Sequence, residues 1–136
     1  MRAAVGLAAA PDGPAKRDYI SESQEIPVSF LENILTDLRN AGIVESQRGS
    51  EGGYWLARPA DEITLAEVIR AVDGPLATVK GVRPEATHYE GVAAPLREVW
   101  IALRAHIRAV LERVTLADVV SGNLPPDVVD AIAETE

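Results

Sequence analysis

"IPVSFLENILTDLRNAGIVESQRGSEGGYWLARP", residues 26–59, carries three signals in order: a helical stripe, a helix stop, and a glycine-rich turn between two strand-like runs. Leu31, Ile34, Leu35 and Leu38 recur at i, i+3, i+4 and i+7, which places them on one helical face. Pro27 suits the first turn of that helix, and Gly42 falls where a left-handed cap residue closes one. Residues 43–48 and 54–58 then read as short strands, and the joining Gly49–Gly53 holds three glycines, the composition of a hairpin tip. Arg48 stands at its base.

On the N-terminal side, "RAAVGLAAA" (2–10) reads as an alanine-rich helix stopped by "PDGP" (11–14), and 15–25 has weak helical character. On the C-terminal side, "TLAEVIRAVDG" (64–74) opens with Thr64 and has Glu67 three residues on, the capping-box pattern. Periodicity lapses over 75–95. It returns in 96–114, where Leu96, Trp100, Leu103, Ile107, Val110 and Val114 form a 3.5-residue seam with Arg97, Arg104 and Arg108 off it. "TLADVVSG" and "PDVVDAIAE" read as two short closing helices, and the chain has no internal repeat or low-complexity tract. The expected fold is mainly α with a small β-hairpin: a winged helix-turn-helix unit over 1–74, an irregular connection over 75–95, and a long dimerisation helix with short helices over 96–136.

Composition narrows the function. A length of 136 residues fits one core, and the absence of cysteine excludes disulfides, thiolate zinc sites and cysteine-held iron–sulfur clusters. No signal peptide or membrane span is evident, so a cytoplasmic protein with no membrane association is expected. Net charge is −8, with six Lys/Arg against eight Asp/Glu in residues 1–60 and seven against thirteen beyond. That balance argues against nucleic-acid binding unless Lys16, Arg17, Arg39, Arg48 and Arg58 share one face. No nucleophile–base pair, metal triad or paired carboxylates at helical spacing is present, so an enzyme is not expected.

With its leucine stripe turned inward, helix 27–40 presents Val28, Ser29, Glu32, Asn33 and Thr36. Short polar groups near a helix N-terminus suit base edges: Ser29 as donor or acceptor, Asn33 for adenine, Glu32 for the cytosine amino group. Taken alone, the helix fits an ordinary surface helix better, and Glu32 and Asp37 favour that. The turn alone is equally a plain hairpin, though it lacks the Lys-Ser/Thr of a nucleotide-binding loop. Helix and wing together favour DNA, with Arg39, Arg48, Gly49, Gly52, Gly53 and Tyr54 completing the candidate contact set.

Residues 26–76 resemble the IscR/NsrR-type (Rrf-two) bacterial transcription regulators. The resemblance rests on IP-x-S-F-L-E at the helix opening, then L-x-x-AG-I-V, RG-x-x-GGY-x-LARP, EIT and GPL. It continues more loosely through 96–114. It implies a homodimer, usually a repressor, on a pseudo-palindromic double-stranded operator, with Ser29 and Glu32 reading bases and Arg48 entering the minor groove. Many members hold an iron–sulfur cluster through three cysteines in the loop before the long helix. Here "ATVKGVRPEATHYEGVAAP" has none, so no cofactor is expected and the clustered relatives' sensing does not transfer. Family members usually begin about ten residues earlier, so Met1 falling inside the first helix suggests either a shortened element or a misassigned start.

The remaining expectations concern pairing and signal. Trp100, Leu103, Ile107 and Val110 are the expected dimer seam, which would set two recognition helices near ~34 Å apart. His106 lies off it and reads as solvent-facing or dimer-edge. Lys80, Arg83, His88 and Tyr89, with Glu90, Val79, Val82 and Val92 nearby, are the candidate contacts for a small-molecule effector. A partner protein or pH is the alternative route for a signal, and a linker that merely packs is at least as good a reading. The rival function is a protein-binding adaptor that keeps the fold without DNA affinity.

Overall fold

In the computed structural model, which describes residues 1–135, the chain runs α1 (Arg2–Ala9), α2 (Arg17–Gln24), α3 (Val28–Asn40), β1 (Val44–Gln47), β2 (Gly53–Leu56), α4 (Leu65–Asp73), α5 (Leu96–Leu111), α6 (Leu116–Ser121) and α7 (Pro126–Thr135). One-turn 3-10 segments lie at Ala60–Glu62, Pro84–Ala86 and Gly91–Ala93. The architecture is mainly helical with one antiparallel hairpin, as expected.

The stripe of α3 is its buried face: Leu31, Leu35 and Leu38 lie in the core and Ile34 is half-buried. Pro27 does not open the helix as its first residue. Its backbone is extended and it stands outside as the cap, where its carbonyl accepts from Phe30 and Leu31 at 3.1 and 3.0 Å. The other end closes in a Schellman turn. Gly42 takes φ +76, its N–H donates to Arg39, and the Ile43 N–H donates to Leu38. Ile43 and Leu38, joined by that bond, are both buried, so the stop also feeds the core. The turn from α2 into α3 repeats this geometry without glycine: Glu25 sits left-handed at φ 53 and Ile26 N–H donates to Ser21 at 3.0 Å.

β1 and β2 pair in the register Val44↔Leu56, Glu45↔Trp55, Ser46↔Tyr54 and Gln47↔Gly53. The wing has a third member. Ala15 exchanges two 2.8 Å backbone hydrogen bonds with Tyr54, forming a one-residue bridge. The weak helical reading that began at residue 15 is therefore corrected: the helix starts at Arg17, and Ala15 belongs to the sheet.

The core joins Ala3, Ala4 and Leu7 of α1 with Ile20 of α2, the α3 leucines, Ile43, Val44, Ile63, Val68 and Leu116 of α6. Each fully buried Leu or Ile contributes about 1.5–3 kcal/mol, so a set of this size holds the helices in place. Leu116 enters it because the chain returns after α5. Thr64 and Thr115 pair antiparallel, with Leu65 N–H on Val114 at 2.9 Å and Leu116 N–H on Ile63 at 3.0 Å. The flanking sequences, "ITLAEV" at 63–68 and "VTLADV" at 114–119, are a short internal repeat, which corrects the expectation of none. Only the second cap closes as a full box, with Thr115 and Asp118 bonded reciprocally. At the first, Thr64 accepts from Glu67 N–H, but the Glu67 carboxylate turns to Arg58 instead.

α5 has no buried residue. One side holds the irregular stretch before it: Arg97 donates twice to the Glu85 carbonyl, while Arg104, largely buried, donates to the Leu76 carbonyl and pairs with Glu85. The other side is apolar and open, with Val99, Leu103 and Val110 exposed.

Candidate nucleic-acid interface

The outer face of α3 carries Val28, Ser29, Glu32, Asn33 and Thr36, all exposed as the stripe requires. Thr36 satisfies its hydroxyl on the Glu32 carbonyl at 2.8 Å. Glu32 itself is engaged, because Arg17 of α2 pairs with its carboxylate and also lies against Asp18. Glu32 first and Asp18 second raise the Arg17 guanidinium above its ordinary value. A carboxylate on a DNA-facing helix repels phosphate, and this pairing neutralises it.

Cations gather beside the wing, as the charge argument required, with one exception. Lys16 donates to the carbonyls of Gly49 and Ser50 at 3.2 and 2.7 Å, fastening the tip. Arg39 reaches Ser46 of β1 at 3.3 Å and ties the end of α3 to the hairpin. Arg48 is exposed, and among the described residues it makes no hydrogen bond or ion pair. Arg58 departs from the expected cluster: it faces α4, pairing with Glu67 and donating to the Glu62 carbonyl.

The wing glycines divide. Gly49 is open, with φ +104 and free space where a side chain would stand. Gly52 and Gly53 are buried, and what presses on them is protein: the Gln47 carbonyl for Gly52 and the Ala15 carbonyl for Gly53. Tyr54 is half-buried against the core, its backbone held by Ala15.

The expected seam of α5 splits by depth. Leu103 and Val110 are exposed, while Trp100 and Ile107 are half-buried. Trp100 donates its indole N–H to the Tyr89 hydroxyl at 2.9 Å. That bond places Tyr89, a candidate effector contact, under the helix rather than in a free pocket. His88 is exposed against Glu90, and Lys80 stands at φ 48 in a tight turn between the bridged Val79 and Val82. Arg83 is exposed. Glu85 is the residue the sequence reading passed over here: its own backbone N–H, then Arg104, hold its carboxyl below the usual range. A second missed link is Glu112, which Arg70 of α4 and Arg108 both contact, the Arg70 bond being 2.5 Å. Arg70 first, then Arg108, lower its pKa. Phe30, exposed beside Ser29, is the third. With Val28 it is one of two apolar side chains of the helix off the stripe, and the only aromatic one.

Comparison with known proteins fits this arrangement. A family model described as Rrf2, iron-dependent transcriptional regulator, matches residues 1–122. The chain belongs to the Rrf2 family. Among its Rrf2 relatives, a provisionally named HTH-type transcriptional regulator of Mycobacterium tuberculosis is 50% identical over 129 residues, 94% of this chain and 80% of that protein. The regulator CymR of Bacillus subtilis is 34% identical over 110 residues, covering 81% and 75%. The solved structure of CymR, titled the global cysteine regulator of B. subtilis, superimposes with TM-score 0.72 at 35% identity, covering 88% of each chain. An IscR structure from T. potens gives 0.70 at 30% identity, covering 89% and 80%. The chain is thus a DNA-binding transcriptional regulator of winged-helix architecture, not an enzyme. The family's iron does not fit it. The sequence has no cysteine, and among the described residues no three His, Asp or Glu side chains converge as ligands. No helix of the described residues is long and apolar enough to cross a membrane.

Proposed function

We propose that this regulator is a homodimeric repressor that reads a pseudo-palindromic site on double-stranded DNA and works without an iron–sulfur cluster, in the bacterial cytoplasm. The observation that carries the reading is Arg48. Arg17 is paired with carboxylates, and Lys16 and Arg39 spend hydrogen bonds on protein oxygens, whereas Arg48 stands at the wing base with no protein partner among the described residues. A narrow minor groove supplies the missing anion. α3 then lies in the major groove, where Ser29 and Asn33 meet base edges and Val28 borders them. Glu32 accepts from a cytosine amino group once Arg17 exchanges it for a phosphate. Arg39, Gly49 and Tyr54 flank the backbone path, and Gly52 and Gly53 keep the tip tight enough to follow it.

Dimerisation runs through the open face of α5, with Leu103 and Val110 at its exposed centre and Trp100 and Ile107 behind. Regulation acts on residues 77–94, which Arg97 and Arg104 clamp to the same helix. A small molecule that engages Lys80, Arg83 or His88 would shift that clamp, as would a partner protein on the same surface.

A second reading, the adaptor without DNA affinity, draws on the net charge of −8 and on Glu32 spending Arg17. Selection of duplexes from a random pool, followed by gel-shift titration across salt, separates the two. A repressor enriches a symmetric site and loses affinity linearly in log salt. Arg48→Ala then weakens binding by about 1–3 kcal/mol, several-fold or more, and lowers the salt slope. No enrichment, or binding indifferent to salt, establishes the adaptor.

A further inference from the structure

Phe30 is the chain's single phenylalanine and is 65% exposed on the first turn of α3, with its N–H donating to the Pro27 carbonyl. Its neighbour Leu31 is fully buried, so the ring stands outside by position and not because the helix is loose. Across residues 1–80, the large apolar side chains this open are Met1, Tyr19, Val28 and Phe30, and Phe30 exceeds the other three. An aromatic ring gains more from burial than any other side chain on this face, and among the described residues it stays mostly open. Its surroundings say what does. Asn33 lies one turn further along the helix and Ser29 is adjacent, both polar and exposed, so the ring belongs to the surface that meets base edges. The major-groove edge of DNA offers one apolar group, the C5-methyl of thymine.

We propose that Phe30 is a specificity-determining residue that packs on a thymine methyl group in each half-site, beside an adenine taken by Asn33. The inference rests on the DNA-binding reading above and adds to it a defined base. It accounts for an uncharged ring where solubility alone would favour a polar side chain, and it makes the α3 N-terminus select A·T pairs at that step. Val28, 36% exposed, widens the same apolar edge.

The test starts from the duplex that the intact chain selects out of a random pool. If no duplex is enriched, the DNA reading itself fails, and Phe30 with it. Given a selected site, each thymine is replaced in turn by deoxyuridine, which lacks only the methyl. The intact chain is expected to lose about threefold to fivefold at one thymine per half-site, the effect of withdrawing one contacting methyl group. Phe30→Ala should bind the original duplex more weakly and treat thymine and deoxyuridine alike, while Phe30→Leu should recover much of the distinction. Melting curves of the variants should stay close to that of the intact chain, since Phe30 is already 65% exposed and stands outside the core. The proposal is overturned if the selected duplex binds yet every deoxyuridine form binds within twofold of it. It is equally overturned if Phe30→Ala keeps the distinction, or if Phe30→Ala leaves DNA binding intact and instead shifts the sedimentation coefficient, which would assign the ring to a protein contact.

Discussion

A Cβ built on Gly52 would stand 2.0 Å from the Gln47 carbonyl oxygen, and one on Gly53 would stand 2.7 Å from the Ala15 carbonyl oxygen. Both approaches are to backbone, which cannot swing aside as a side-chain tip can. Gly52→Ala should therefore destabilise the fold by about 1–3 kcal/mol in urea denaturation, with the wing displaced before the helices are affected. Wild-type stability in that variant would show the tip to be loose. The glycine richness of 48–53 was legible in the sequence; its cause was not. The contacts that decide which glycine is open to a ligand come from residue 15 and from across the turn. Long-range pairs were hidden for the same reason. Arg17 and Glu32 are 15 residues apart, and Lys16 reaches carbonyls 33 and 34 residues away. No local spacing encodes such pairs. Phe30 differs, because its departure from the i, i+3, i+4 stripe is a local fact that only needed weighing.

Helices α3, α4 and α5 were legible because their period and end signals lie within a few turns of chain. The paired caps were not, since Thr64 and Thr115 become neighbours only when the chain folds back. Each threonine holds the first turn of a helix: Thr64 takes the Glu67 N–H at 3.2 Å and Thr115 the Asp118 N–H at 3.1 Å. Thr64→Ala and Thr115→Ala should each cost about 1 kcal/mol in chemical denaturation. Because the backbones flanking them bond to one another, Leu65 to Val114 and Leu116 to Ile63, the double variant should depart from the sum by more than about 0.5 kcal/mol. Additive losses would mean that the caps act separately and that the bridge does not couple them.

For the molecule as a whole, the open side of α5 is an apolar face that no element among the described residues covers. Val99 is 53% exposed, Leu103 51% and Val110 41%. Contiguous apolar surface of this kind marks an association site in a soluble protein. Leu103→Glu places a charge there at a residue outside the core, so it should give a folded monomer in sedimentation while leaving helix content by circular dichroism unchanged. A variant that still sediments as a dimer moves the interface off α5. The heptad spacing pointed to Leu103 and Val110 of this face but not to Val99, nor to its counterpart: Arg97 and Arg104, between the seam positions, are grips on residues 76 and 85, while Arg108 pairs with Glu112.

The Thr64–Thr115 bridge has a mechanical meaning. Between its two strands the chain leaves through α4 and the irregular stretch and comes home off the C-terminal end of α5, so the long helix is a handle bolted at that root and not a flail on a slack tether. Glu112 adds a second bolt at the same end, where Arg70 meets it. A tether would absorb a twist; a handle delivers it. In the proposed dimer, torque on the arm would arrive at the winged-helix unit as rotation of one piece, and changing the distance between two such units on DNA would need no hinge inside either.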